Sequence, residues 1–438
     1  MAATKATTER ARTRSPNWSD DLPDHDGAGP ERQDENVFQS CLVDIDLPAE
    51  DDPRRLEVRR WLEEHPNPTP ADLLASGYTI PHWPQPWGLD AEPELQLIID
   101  DELKRAGVSR PMNPIGIGHC GPVIVVHGNE EQKERYLPPM LRGEELWCQL
   151  FSEPEAGSDL ANLSTRAVKD GDSFVVNGQK IWTSLAQVAK FGILIARTDT
   201  DTSKYTGISY FIIPMDLPGI DIRPLKNMVG GFGDAGFCEV FFTDVHVPAD
   251  NLIGSLHGGW AMAKETLANE RVSLSREGLQ WGHGPTVRDL IELVKKNGGV
   301  QDHLLRQRIA DAYIEGEIMR FHQLRQISAK VNKKPGPDAS LRKALKDPHG
   351  KKVFGLAKDM MGAQGLLAIE SAEPMWQAWA SGFLFSPALT VGGGTSEVLR
   401  NIIAERILGL PHDVDVEAGL TWSEGRSRLR ENRDRVDA

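Results

Sequence analysis

Four short stretches of the sequence carry residue types that could do chemistry. In a helix expected from Trp260, the residues Trp260, Ala263, Leu267 and Leu274 fall on one stripe at about 100° per residue, and Glu270 lies within roughly 60° of its centre. A carboxylate therefore interrupts an apolar face. Burial without a partner disfavours the charged form, the usual way a glutamate becomes a competent general base; a structural ion pair with Arg271 or a neighbouring helix explains the same pattern. The second stretch is FSEPEAGSD, Phe151 to Asp159, where the small residues Ala156, Gly157 and Ser158 expose amides and a hydroxyl suited to a phosphate or a flavin edge. In the third, KIWTS, Trp182 offers a flat face beside the hydroxyls of Thr183 and Ser184, although a tryptophan on a strand also serves as core. The fourth is GGGTSEVLR, Gly392 to Arg400. Its glycines let the backbone approach a ligand ahead of a capped helix, and a plain capping loop is the competing explanation.

These stretches need a scaffold, and the sequence changes grammar twice. From Pro53 to Glu144 it favours helix, with Leu73, Leu74, Leu95, Leu97, Ile98 and Leu103 near helical spacing and a charged, solvent-facing helix from Asn129 that stops at Pro138. From Trp147 to about Pro248, short β-rich runs predict strands at Ser173 to Val176, Phe191 to Ala196, Ile208 to Ile213 and Glu239 to Phe242, the first entering an Asn177-Gly178 hairpin turn. Beyond Gly259 helices return, at Trp260 to Leu279, Leu304 to Val331 and Ser396 to Leu408. The last has Thr395 as N-cap and a stop at Gly409 and Pro411. The expected organisation is a disordered arm (1–36), an N-terminal helical domain (37–146), a middle β domain (147–255), a C-terminal helical bundle (256–412) and a charged tail (413–438).

Composition bounds the function. The 438 residues are 39% hydrophobic and 26% charged, the balance of a globular protein. Forty-nine basic against 64 acidic residues give a net charge of −15, which repels nucleic-acid backbones. Apolar runs such as Val123 to Val126 and Ile193 to Ala196 fall far short of the roughly 18 residues of a membrane span. Cys41, Cys120, Cys148 and Cys238 lack the spacing of a zinc site or a disulfide scaffold, which points to a reducing, cytoplasmic setting and to no metal.

Taken in order, GNEEQKERYLPPMLRGE, FSEPEAGSD, NGQKIWTS, LANERVS and GGGTSEVLRNIIAERILGLP resemble the acyl-CoA dehydrogenase family from about Gly128 to Pro411. WCQLFSEPEAGSDLA and the triple glycine are most similar to its actinobacterial branch. The resemblance implies an α+β multidomain fold: an N-terminal helical domain, a middle β domain and a C-terminal four-helix bundle, with FAD between the last two. It implies α,β-dehydrogenation of an acyl-CoA thioester to the 2,3-enoyl-CoA, electrons passing to an electron-transfer flavoprotein, and a homodimer or homotetramer. By position it selects Gln149, Phe151, Ser152, Gly157, Ser158, Trp182, Thr183, Ser184, Thr395 and Glu397 for FAD, Ser158 and Arg271 for substrate, and the amide of Gly393 for the oxyanion. The position that carries the base in many members is Gly393 here, and glycine abstracts no proton. Other branches carry the base directly before an arginine on the first long C-terminal helix, where Glu270-Arg271 stands.

Two departures bear on assembly. The family's RxxFG motif is absent after Arg271, Lys296 falling near its spacing in another context, and the QxxGGxG segment is replaced by DMMGAQG, Asp359 to Gly365. The chain then either holds FAD differently at a homodimer interface or works with a second, non-identical subunit. Alternatives on the same fold are an acyl-CoA oxidase or another flavin enzyme, such as a monooxygenase or nitroalkane oxidase, and a non-catalytic partner subunit.

Overall fold

The computed structural model describes residues 48–229, 236–274, 278–296, 299–331, 338–372 and 374–436. The arm at 1–36 lies outside them. The first helices are α1 (Pro53–Glu64), α2 (Pro70–Ala75), α3 (Pro93–Arg105), α4 (Gly121–His127) and α5 (Glu130–Leu141), with a π-turn at Gly116–Cys120 leading directly into α4. Asp52 caps α1 ahead of Pro53, and Asn129 and Gln132 form a reciprocal capping box at the start of α5. Contrary to expectation, α5 does not stop at Pro138 and is not simply solvent-facing. It runs through Pro138 and Pro139 to Leu141, and Leu137, Met140 and Leu141 are completely buried. An internal proline costs about 3 kcal/mol, whereas three buried side chains contribute about 1.5–3 kcal/mol each.

Among the described residues, eight strands form one sheet: β1 (Trp147–Leu150), β2 (Arg166–Asp170), β3 (Ser173–Ser184), β4 (Phe191–Arg197), β5 (Ile208–Pro214), β6 (Ile220–Pro224), β7 (Phe237–Pro248) and β8 (Leu252–Ile253). The order is β6-β7-β3-β2-β4-β5-β8, with β1 parallel to β4. The four expected strand runs all lie within strands. The expected Asn177-Gly178 hairpin does not exist. β3 passes through both residues at a bulge, because the Asn177 side chain hydrogen-bonds across to Asp244 of β7. The tight turn lies earlier, at Gly171-Asp172 between β2 and β3, where Gly171 takes a φ of +57°.

Alternation along β1 decides which residues meet the helices. Trp147 faces a core shared with α4, α5 and the following helix, while Cys148 and Leu150 face a second core built by the strands and their turns. That following helix is α6 (Gly259–Leu274), shorter than the sequence pattern suggested. Then come α7 (Val287–Lys296), α8 (His303–Val331), α9 (Asp338–Met360), α10 (Pro374–Phe385) and α11 (Ser396–Arg406), with α9 packed against α6, α8, α10 and α11. This is the α+β arrangement the sequence led us to expect.

The charged tail contains a helix, α12 (Trp422–Val436), which docks on the sheet region. The Trp422 ring lies under the Arg197 guanidinium at 5.0 Å, Arg426 bonds Glu155 at 2.9 Å, and Lys204 ties Glu417 (2.5 Å) to Asp159 (3.1 Å). No helix among the described residues is long and apolar enough to cross a membrane.

Candidate active site

The loop after β1 is pinned by a buried ion pair. Lys180 of β3, fully buried, donates to the Phe151 carbonyl and to Glu153, each at 2.9 Å, and Glu153 accepts from the amides of Ser164 and Thr165 at 2.6 and 2.9 Å. Burial opposes ionisation of Glu153, but the Lys180 ammonium and these hydrogen bonds outweigh it and hold the carboxyl below its ordinary range. Burial likewise pulls the Lys180 ammonium down, with Glu153 opposing. Phe151 itself is core, packed edge-on against Tyr210, and the Ser152 carbonyl accepts from Ile181. Gly157 and Ser158 stand exposed on the far part of the loop.

Glu270 is half-buried on α6. Its Oε2 accepts from Gln149 Nε2 at 3.1 Å, and Gln149 Oε1 meets Nδ1 of the buried His119 at 3.1 Å. The other carboxylate oxygen, Oε1, lies 3.5 Å from where a Cβ on Gly393 would stand. Two positions 123 residues apart, selected separately in the sequence, thus lie against each other. The same glycine sits against Leu274 and against Lys343 of α9. Lys343 is buried, paired with Asp347, and bonded to the Leu389 carbonyl at 3.2 Å. Burial pushes the Asp347 carboxyl up to about 6 despite Lys343. Arg271, next along α6, is half-buried; burial pulls its guanidinium below its usual value, Glu270 opposes this, and Arg406 adds to it.

On the other side of the glycine run stands an aromatic row. Trp182 is 59% exposed with a left-handed φ of +61°, at a bulge where β3 and β7 change register. A bulky residue rarely adopts that backbone, which turns the indole out of the strand. It meets Phe237 edge-on at 5.9 Å, Phe237 meets Trp281 at 6.5 Å, and Trp281 abuts Gly392. Thr183 is 1% exposed and its hydroxyl has no hydrogen-bond partner among the described residues, while Ser184 is half-buried. Thr395 uses its hydroxyl to cap α11, accepting from Val398 at 3.2 Å. It lines a surface cleft with Lys351, Thr390, Glu397 and Arg400, where Glu397 is exposed.

Sequence reasoning misses His119, Lys343 and Asp347. A Lys-x-x-x-Asp pair on α9 is the one local signal for the last two, and His119 carries none. One family covers most of the chain. Models of the acyl-CoA dehydrogenase N-terminal, middle and C-terminal domains match residues 49–144, 148–245 and 257–408. The chain belongs to the acyl-CoA dehydrogenase family. It is therefore an oxidoreductase of the CH–CH group, in a family of flavoproteins of lipid metabolism.

Relatives agree with the actinobacterial resemblance. The acyl-CoA dehydrogenase IpdE1 of Mycolicibacterium smegmatis is 37% identical over 369 residues, 82% of this chain and 90% of that protein. The acyl-CoA dehydrogenase FadE34 of Mycobacterium tuberculosis is 38% identical over 349 residues, 77% of this chain but 45% of FadE34, so this acyl-CoA dehydrogenase spans less than half of that relative. The solved structure described as the Tcur3481-Tcur3483 steroid ACAD is 31% identical, with a TM-score of 0.68 over 83% of this chain and 94% of the other.

Proposed function

We propose that this acyl-CoA dehydrogenase converts an acyl-CoA thioester to the 2,3-enoyl-CoA with Glu270 as the base, FAD as the oxidant and an electron-transfer flavoprotein as the final acceptor. The observation that carries the reading is the Glu270 carboxylate, half-buried, held through one oxygen by Gln149 and turned with the other toward Gly393. The residues present fit a flavin. The turned-out Trp182 indole offers a stacking face, and the buried Thr183 hydroxyl, unpartnered among the described residues, has a hydrogen bond still to make. Ser184, Ser152, Gln149 and Phe151 border the same strand ends, and Thr395 and Glu397 stand ready at the α11 cleft. FAD, when bound, supplies the acceptor for the β-hydride.

The chain's own residues do the rest. Glu270 Oε1 takes the α-proton, and the Gly393 amide faces the charge that develops on the thioester oxygen. Gly157 and Ser158, exposed on the loop that Lys180 and Glu153 pin, together with Arg271, receive the CoA portion. A steroid-derived or similarly bulky acyl group is the substrate class we infer, supported by the 31% identical steroid ACAD. That relative's name joins two proteins, and with RxxFG missing here this supports a second, non-identical subunit. Cys120, Cys148 and Cys238, all free and buried, suit a cytoplasmic setting.

The test is anaerobic flavin bleaching with a panel of acyl-CoAs. Glu270→Gln is expected to retain FAD and bind acyl-CoA yet leave the flavin oxidised; normal bleaching by that variant removes Glu270 from the reaction. Peroxide formed in air at the rate of substrate oxidation replaces the flavoprotein acceptor with oxygen.

A further inference from the structure

We infer that His119 is a positioning residue for the base, acting through the Gln149 amide; the inference rests on Glu270 being that base. A glutamine amide has one accepting end and one donating end. An ionised carboxylate only accepts, so Nε2 must face Glu270 and Oε1 must face His119. Oε1 can be satisfied there only if His119 carries its proton on Nδ1. The carboxylate therefore fixes which way the amide points, and a donating His119 anchors the amide's other end and so holds it against the carboxylate.

The local fold supports this assignment. His119 sits in the π-turn Gly116–Cys120, packed against α6, and it is 9% exposed. Such turns carry one extra residue per turn and re-aim a side chain that an α-helix would point elsewhere. Gln149 sits on β1 with its side chain toward the helices, between the two groups. With Oε2 engaged, Glu270 turns Oε1 to the Gly393 side, where the α-proton must arrive. If His119 offered no donor, Oε1 would lose this partner, and the amide would be held at its Glu270 end alone and free to swing. Glu270 would then leave the geometry that Gly393 accommodates.

The experiment uses the flavin-loaded enzyme and any acyl-CoA that bleaches the wild type. His119→Leu and Gln149→Met each remove one link at similar volume. Each is expected to slow bleaching by about tenfold or more, the worth of a hydrogen bond to a charged group, with KM little changed. The isotope effect with α-deuterated substrate should rise, since proton removal becomes limiting; a merely structural role would not move it. The double variant should be no slower than the slower single. His119→Asn, whose amide N–H takes the Nδ1 position, should restore the rate to within about threefold of wild type. If His119→Leu does not fold, Gln149→Met decides. Wild-type bleaching by Gln149→Met, or additive losses in the double variant, overturns the inference. Glu270→Gln runs alongside: if it bleaches normally the base assignment has failed, whereas an inert Glu270→Gln beside wild-type His119→Leu and Gln149→Met defeats the relay alone.

Discussion

Gly393→Ala tests the packing of the site most directly. Gly393 has a φ of +66°, a region that costs an L-residue about 1–2 kcal/mol. A Cβ there would lie 2.6 Å from Leu274 Cδ1 and 2.9 Å from Lys343 Cε. Leu274 can rotate away, but Lys343 is pinned by Asp347 and the Leu389 carbonyl, so the overlap falls on a side chain with nowhere to go. Overpacking of this kind costs about 1–3 kcal/mol, for a total of about 2–5 kcal/mol. At about 2.1 cal/mol/K per residue, a 438-residue chain has an unfolding entropy near ~0.9 kcal/mol/K, and Tm should fall by about 2–5 °C. Gly394→Ala is the internal control. Its φ is +97°, yet a Cβ would meet only Leu399 Cδ2 at 3.8 Å, so it carries backbone strain without overlap. Urea denaturation and thermal melts of both variants isolate the steric part as their difference. The new methyl would stand 3.5 Å from Glu270 Oε1, so bleaching should slow more in Gly393→Ala than in Gly394→Ala. Equal stability of the two variants, or a Gly393→Ala protein that melts with the wild type, refutes the reasoning.

Glu153→Gln leaves the Lys180 ammonium buried without its counter-ion and should cost about 3–5 kcal/mol in urea denaturation. The double variant Glu153→Gln with Lys180→Met should recover part of that loss. Asp347, with its pKa raised from 3.8 to about 6, keeps in the folded state a proton that the unfolded chain releases, so its contribution to stability falls as pH rises from about 4 to about 6. At about 1.4 kcal/mol per pH unit this amounts to about 3 kcal/mol. Asp347→Asn lacks that slope, so its stability relative to wild type should improve by this amount between pH 4 and pH 7; a gap that ignores pH contradicts the assignment. Trp182→Gly relieves about 1–2 kcal/mol of left-handed strain and loses a contact with Phe237 of about 0.5–1.5 kcal/mol. Apoprotein stability should stay within about 1 kcal/mol while flavin affinity, measured by titration, drops roughly tenfold.

What was legible in the sequence was what local pattern encodes. The apolar stripe of α6 announced Glu270 as an interruption, and the glycine run before Thr395 announced a close approach; the structure places the two against each other. Strand positions followed from β-branched runs, because those residues suit a pleated, half-buried surface. The misjudged positions are those decided at a distance. Asn177-Gly178 has hairpin composition, but Asp244 on another strand claims the asparagine. Pro138 looks like a stop until the burial of Leu137, Met140 and Leu141 is counted. His119 and Gln149 meet across 30 residues through a π-turn, a geometry with no periodicity to detect. Lys343 and Asp347 look like an exposed i,i+4 pair, and only the packing of α9 at the centre of the helices buries them.

The docking of α12 has a consequence for biosynthesis. Arg426 bonds Glu155 across 271 positions, and Lys204 links Glu417 to Asp159 on the same loop. A ribosome releases the two ends of this clasp far apart in time, so the FSEPEAGSD loop must wait, half-anchored by Lys180, until α12 has emerged. Its final setting thus follows the synthesis of α12 rather than that of the sheet it borders.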